Sequence, residues 1–340
     1  MKAIYLTRYG NSDKAFEIRE TDIPSPGPRE VCIKVVSTGL NFADVVARRG
    51  LYDDAPPNPA VLGYDVAGYI HALGSDVVDL HIGQKVVALT RFGGYAEYAI
   101  SQTEGVAVLP DDYDFHQAKA LATQAGTAYF CAEECVSLHQ GDNVLIQAAA
   151  GGVGCILVQI AKHRGCHVYG TASSKKQDFL RQNGVDTPID YTKHSFKDII
   201  KKEQPSGIDV VFDSIGGKSF SHGMKVLRPG GRMVSYGAAS QINGNKTNKL
   251  KAAGVVFGFG IFSPIALLLQ SKAIITVNML RIADHKPNIL QHVMQETVKL
   301  AAEGVIKPTL SETFSADDIA AAHNYLESRQ SIGKVTLSWE

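Results

Sequence analysis

The run Asn143-Val144-Leu145-Ile146-Gln147-Ala148-Ala149-Ala150-Gly151-Gly152-Val153-Gly154 decides how this chain folds. Asn143–Gln147 reads as an apolar strand, and the apolar spacing that follows predicts a helix over Val153–Arg164. Between them lies the glycine-rich turn of a dinucleotide-binding βαβ unit, with Ala149 in place of its first glycine. Gly151 lets the backbone approach a pyrophosphate, and Gly154 lets the helix pack closely on the strand. The helix start, at Gly152 and Val153, offers free N–H groups and the positive end of the peptide dipoles to phosphate oxygens.

Working outward, strands and helices alternate. Cys166–Thr171, Thr187–Asp190, Ile208–Asp213 and Arg232–Tyr236 read as strands. Lys175–Gln182, Phe196–Lys202 and Ser219–Leu227 read as the helices between them. That alternation implies an α/β fold whose doubly wound parallel sheet is covered on both faces. Before about Thr123 the pattern changes. Val31–Val36 shows partial alternation and Val86–Leu89 is a short apolar run, with turn formers such as Pro24–Pro28, Pro56–Pro59 and Gly93-Gly94 between such runs. This part predicts a mostly antiparallel β domain. A third part, from about Ser271, holds a strand at Ala273–Met279, a helix at Pro287–Gly304 and a final strand at Lys334–Ser338.

Composition narrows the function. The 340 residues suit about two domains, and 45% hydrophobic with 20% charged residues fits a globular protein. Lys plus Arg and Asp plus Glu each number 34, so the overall balance gives no sign of a nucleic-acid partner. Five cysteines, an odd number, and an apolar strand pattern from Met1 without a signal core predict reduced thiols in a cytoplasmic protein. Cys131 and Cys135, four apart on a predicted helix, have no further metal ligands nearby in sequence and read as packing residues. Ala252–Ser271 carries no charge but is broken by glycine and proline. It is expected to be a buried, non-helical or subunit-interface segment, with peripheral membrane contact as the other reading.

The end of the second strand selects the dinucleotide. Gly170-Thr171-Ala172-Ser173-Ser174-Lys175-Lys176 contains no acid to bind a ribose 2′-hydroxyl, whereas its hydroxyls and ammonium groups suit a 2′-phosphate. The expected cofactor is NADPH, held by Ser173 and Lys176 (or Lys175), with Tyr191 covering the same phosphate.

Gly39–Asp44, Arg49–Tyr52, Leu62–Gly68, Gly94–Tyr98, the AAAGGVG turn, Gly170–Ser173, Ile189–Tyr191 and Ile306–Pro308 together carry a resemblance across nearly the whole chain. The sequence resembles the zinc-free quinone oxidoreductases of the medium-chain dehydrogenase/reductase superfamily, the ζ-crystallin-like proteins, and among them the synaptic-vesicle amine-transport-like branch. The resemblance implies a GroES-like catalytic domain from residues 1–123 and 271–340 around a Rossmann NADPH-binding domain at 124–270. It also implies a cofactor in the cleft between them, and a homodimer. Positions matching the catalytic zinc ligands of metal-dependent relatives are Asn41, Tyr64 and Thr123, and no four-cysteine lobe precedes Tyr98, so no metal is expected.

The same resemblance supplies candidate site residues. Tyr52 is the candidate donor to the substrate oxygen. Asn41 would orient the nicotinamide ribose or the substrate, and Asp44, Thr127 and Tyr129 would contact the cofactor. Arg329 matches an arginine near the cofactor. Ser214, Tyr236-Gly237 and Asn278 end parallel strands, where ligand contacts gather. The expected reaction is hydride transfer from NADPH to a quinone or another α,β-unsaturated carbonyl. An enoyl-thioester reductase, and a non-catalytic NADPH-binding interaction or peripheral membrane protein, are the alternatives.

Overall fold

The structure, a computed structural model, describes residues 1–113, 115–118, 120–239 and 258–339. The chain divides into two compact units, Met1–Gly126 with Leu280–Glu340, and Thr127–Met279.

The first unit opens with β1 (Lys2–Leu6), β2 (Phe16–Glu20), β3 (Glu30–Leu40), β4 (Ala60–Val61), β5 (Asp65–Leu73), β6 (Lys85–Leu89), β7 (Tyr98–Gln102) and β8 (Val106–Val108). The predicted runs at Val31 and Val86 fall inside β3 and β6. Alternation in β3 is only partial because Val31, Cys32 and Ile33 are all buried. The second unit holds β9 (Asn143–Ile146), β10 (His167–Ala172), β11 (Thr187–Asp190), β12 (Ile208–Asp213), β13 (Leu227–Ser235) and β14 (Ala273–Thr276). These form one sheet in the order β11-β10-β9-β12-β13-β14, with every pairing parallel. Val144–Ile146 and Val210–Phe212, at the centre, are buried on both faces, as a helix-covered parallel sheet requires. The chain returns to the first unit for β15 (Leu310–Ser315) and β16 (Lys334–Ser338). There the order is β15-β16-β3-β5-β6-β8, with β7 also on β3. All these pairings are antiparallel except β15 with β16. A small sheet, β2-β1-β4, completes the unit.

Three expectations change. The second crossing between units falls at Met279–Leu280 rather than after Gln270, because β14 hydrogen-bonds to β13 from Arg232↔Ala273 to Ser235↔Thr276. The uncharged Ala252–Ser271 stretch lies outside the described residues up to 257, and the described part is mostly exposed and includes a helix. Pro264 opens a helix, Pro264–Gln270, that has no buried residue and ends at a left-handed Ser271. Cys131 sits in a wide π-type turn, Phe130–Glu134, rather than in a regular helix. All five cysteines are free thiols. Among the described residues, no helix is long and apolar enough to cross a membrane.

Candidate functional site

The turn after β9 is held from below. Thr171 on β10 accepts the Ala148 N–H at 3.1 Å and donates to Gln147 Oε1 at 2.7 Å, while its carbonyl accepts the Ala149 N–H at 2.9 Å. Ala148 takes a left-handed φ of 51°, which throws the chain upward into the helix Gly152–His163. Gly154 is obligatory, because a Cβ there would lie 2.3 Å from the Ala148 carbonyl oxygen. The departure at Ala149 is absorbed next door. Its methyl faces Gly170 on β10, where a side chain would come within 3.1 Å of it.

A dinucleotide phosphate fits this turn. The helix start at Gly151 has no side-chain cap, so no side chain takes up the first N–H groups of the helix. A Cβ on Gly151 would stand in the cradle, 3.2 Å from the Ala148 oxygen. Beside it, Gln147 Nε2 is buried without a hydrogen-bond partner in the protein.

The next strand end gathers the predicted 2′-phosphate residues. Ser173 follows β10 and leads into a single 3₁₀ turn, Ser174–Lys176. Tyr191, half exposed, is tied to the same corner by its N–H to the Ala172 carbonyl at 3.2 Å. Lys176 is half-buried, which lowers its ammonium below the ordinary lysine value. Sequence reasoning missed Asp190, a carboxylate at this corner. Its oxygens accept the hydroxyls of Ser174 and Thr192, the latter at 2.6 Å, and the Thr192 N–H at 3.0 Å, with Lys193 at 3.5 Å. The Ser174 bond, first, and those of Thr192 hold it far below the usual carboxylate range. The signal was available in Asp190-Tyr191-Thr192, an acid followed two residues on by a hydroxyl.

Ser214 follows β12 and Tyr236-Gly237 follow β13, with the Tyr236 N–H on the Asp213 carbonyl at 3.0 Å. Asn278 lies two residues beyond β14. In a parallel sheet these ends share one edge with Gly151 and Ser173, and the strand order reverses at β9. Burial pushes the Tyr236 phenol up, against a bond from Ser214. Thr127 and Tyr129 are buried on the short helix Gly126–Tyr129 of this unit. Arg329 belongs to the other unit, exposed just past the helix Ile319–Glu327, with a left-handed φ of 59°.

The first unit holds a second polar cluster, and its centre was not foreseen. Lys334 on β16 is fully buried, and its ammonium donates to Asp65 Oδ2 and to Asn41 Oδ1, each at 2.8 Å. Asn41 Nδ2 donates to Asp65 Oδ1 at 3.0 Å, and the Thr123 N–H reaches Asp65 Oδ2 at 3.3 Å. Gly39 on β3 leaves room for the lysine stem, since a Cβ there would lie 2.2 Å from Lys334 Cε. Asn41 thus turns its amide onto protein partners. Asp44 does likewise. It accepts the N–H groups of Asn41 at 2.8 Å and Gly63 at 3.2 Å and bonds the Tyr95 hydroxyl, which lies 3.2 Å from His323 Nε2. Burial pushes the Asp44 carboxyl up to about 7, against the Asn41 bond and with help from the like charge of Asp65. Tyr52 is half-buried and meets Tyr64 edge-to-face, with ring centroids 6.3 Å apart. Burial raises its phenol.

Two family models match, an alcohol dehydrogenase GroES-like domain over residues 27–111 and a zinc-binding dehydrogenase domain over residues 183–337. With the two sheets described, they define the class: the chain is an oxidoreductase of the medium-chain dehydrogenase/reductase superfamily. It is 34% identical to a synaptic vesicle membrane protein VAT-1 homolog of Rattus norvegicus, covering 99% of this chain and 84% of that one. It is 31% identical to a quinone oxidoreductase of Pseudomonas aeruginosa, covering 99% of each. Within the superfamily the chain therefore belongs to the family of the VAT-1 homologues and quinone oxidoreductases. Among solved structures, Escherichia coli quinone oxidoreductase complexed with NADPH superposes with a TM-score of 0.86 at 26% identity, over 99% of this chain and 100% of that one. CurK enoyl reductase gives 0.85 at 26% identity, over 99% and 98%.

The zinc-binding description of the second model meets a donor set that does not fit zinc. The three matched positions carry an amide, a phenol and a hydroxyl, and the Asn41 oxygen already accepts from a buried ammonium. Among the described residues, no three His, Cys, Asp or Glu side chains gather into a metal-binding group.

Proposed function

We propose that this protein is an NADPH-dependent reductase that needs no zinc and passes hydride to quinones or other α,β-unsaturated carbonyls. The turn from Ala148 to Gly154, with its uncapped helix start and the Ser173–Lys176–Tyr191 corner beside it, carries this reading. When bound, NADPH supplies the hydride. The helix start would hold the pyrophosphate. Ser173 and Lys176 would hold the 2′-phosphate, with Tyr191 over it and the Asp190 charge engaged by its own neighbours. Ser214, Tyr236-Gly237, Asn278, Thr127, Tyr129 and Arg329 are proposed as further cofactor contacts. Tyr52 is proposed as the donor to the substrate oxygen, since a phenol kept protonated by burial can give a hydrogen bond to developing negative charge. Asn41 and Asp44 are proposed as positioning residues, because their polar atoms engage Lys334, Asp65, Gly63 and Tyr95. The likeness to CurK enoyl reductase favours enoyl thioesters as a second substrate class.

The test is loss of NADPH absorbance with a panel of quinones, enones and enoyl thioesters. Saturable turnover, retained in a chelator and lowered by Tyr52→Phe chiefly in kcat, is the expected result. Tight NADPH binding without turnover on any of them would overturn the reductase reading in favour of a binding protein.

A further inference from the structure

Tyr64 stands one residue ahead of β5, and its backbone is fixed from several sides. The residue before it, Gly63, takes a φ of 95° and lies so close to Tyr95 that a Cβ there would meet Tyr95 Cδ1 at 2.6 Å. The Gly63 N–H goes to Asp44 at 3.2 Å, and the Gly63 carbonyl accepts the Thr90 hydroxyl at 3.0 Å. The Tyr64 carbonyl accepts the Thr90 N–H at 2.6 Å, and the residue that follows is Asp65 of the Lys334 network. The Tyr64 ring leans on Phe92, with centroids 5.1 Å apart and planes at 51°, besides its edge-to-face contact with Tyr52.

In this rigid frame the Tyr64 hydroxyl is out of place. The residue is 5% exposed, and its oxygen is buried without a hydrogen bond to the protein. A buried hydroxyl without a partner weakens a fold, whereas a phenylalanine ring would fill the same space without that cost. Such groups are rare and call for a reason. Burial, first, and the negative charge of Asp44 push the Tyr64 phenol up, so it keeps its hydrogen and remains a donor. Its neighbour Tyr52 is well held. The Tyr52 carbonyl accepts the Ala55 N–H at 3.1 Å, the Leu51 N–H reaches the Val46 carbonyl at 3.1 Å, and Arg281 pairs with Asp54 at 2.5 Å.

We infer that Tyr64 is a positioning residue for the reduction, its hydroxyl donating to the Tyr52 oxygen while Tyr52 gives its own hydrogen to the substrate. This rests on the reductase reading and on Tyr52 as the donor. As negative charge develops on the substrate oxygen it draws on the Tyr52 hydrogen, and the Tyr52 oxygen becomes a better acceptor. The Tyr64 hydrogen, with no bond to give up, turns to it, and hydrogen bonds in such a chain strengthen one another. Neither phenol has to release its proton.

The test follows NADPH oxidation with a quinone and an enone for the parent, Tyr52→Phe, Tyr64→Phe and the double variant, with melting temperature and NADPH affinity measured beside it. Tyr64→Phe should lower kcat by roughly tenfold, the worth of one hydrogen bond made in the transition state, and leave KM and NADPH affinity as in the parent. In the Tyr52→Phe background the same change should cost nothing more, because the link it acts through is already gone. The Tyr64→Phe protein should melt no lower than the parent, since it loses only an unpartnered hydroxyl. Equal losses of kcat in both backgrounds overturn the inference, as does a lowered melting temperature, which would make the hydroxyl a brace of the fold. Turnover lowered by Tyr52→Phe but not by Tyr64→Phe removes this inference alone and leaves the reductase reading standing. A parent without turnover, or one indifferent to Tyr52→Phe, removes the donor role of Tyr52 and this inference with it.

Discussion

At the Gly151 turn a helix start lacks a side-chain cap and a neighbouring amide donor is buried without a partner, whereas around Lys334 the polar atoms are turned on one another. The first arrangement leaves donors for something that is not protein. The second is self-sufficient: an ammonium, a carboxylate and an amide close a network inside an apolar sheet. A single chain thus separates binding from bracing. Tyr52 and Tyr64 meet edge-to-face in the same unit as this network.

The sharpest way to break this contrast is Lys334→Met. Asp65 would be left as a buried, unpaired carboxylate, and removal of one member of such a pair costs about 3–5 kcal/mol, read as a fall in denaturant midpoint. Lys334→Met/Asp65→Leu, which removes both charges, should recover much of that loss. A single variant as stable as the parent would refute the bracing role. The Asp44 carboxyl gives the next effect. The folded protein keeps its proton to about pH 7, while the unfolded chain releases it near ~4. The folded state therefore binds more protons across that window, and stability falls as pH rises through it, by up to ~1.4 kcal/mol per pH unit. Asp44→Asn should flatten that slope, whatever it does to stability at a single pH. A slope unchanged by the substitution would show that Asp44 titrates normally.

On the binding side, Gly154→Ala forces a methyl against the Ala148 carbonyl and should cost about 1–3 kcal/mol, with a larger loss of NADPH affinity than of melting temperature. Equal NADPH affinity in the variant would mean that the turn does not hold phosphate. The smallest effect expected is that of Lys176→Ala. Loss of one charge-assisted phosphate contact should weaken NADPH by roughly tenfold and leave NADH unchanged in fluorescence titration. Parallel losses for both nucleotides would move the 2′-phosphate elsewhere.

Much of the parallel-sheet unit was legible because its logic is local. Thr187–Asp190 and Ile208–Asp213 have the predicted bounds, and the first helix differs only in starting at Gly152 and ending at His163. Glycine spacing, apolar strands and the absence of an acid after β10 can each be read within a few residues. Strand β14 was assigned to the wrong unit because Ala273–Thr276 reveals its place only through pairing with β13. The Lys334 cluster was illegible for a related reason. Asn41 and Lys334 are 293 positions apart, and a lysine in a strand reads as a solvated residue unless both faces of that strand are known to be covered. The strand Leu310–Ser315 and the helix Ile319–Glu327 also escaped notice. The exposed helix was missed because uncharged residues suggest burial, and only the surrounding fold shows that, among the described residues, Ile265, Leu268 and Leu269 stay exposed.

Lys334 carries one further consequence. The strand that bears it lies between β15 and β3, so the sheet that β3 begins is finished by a strand synthesised only after the whole parallel-sheet unit. The nucleotide-binding portion, contiguous in sequence, can fold while synthesis continues. Its companion must wait with part of β3 left as an unpaired edge of its main sheet, and this interval is when a nascent chain has most need of a chaperone.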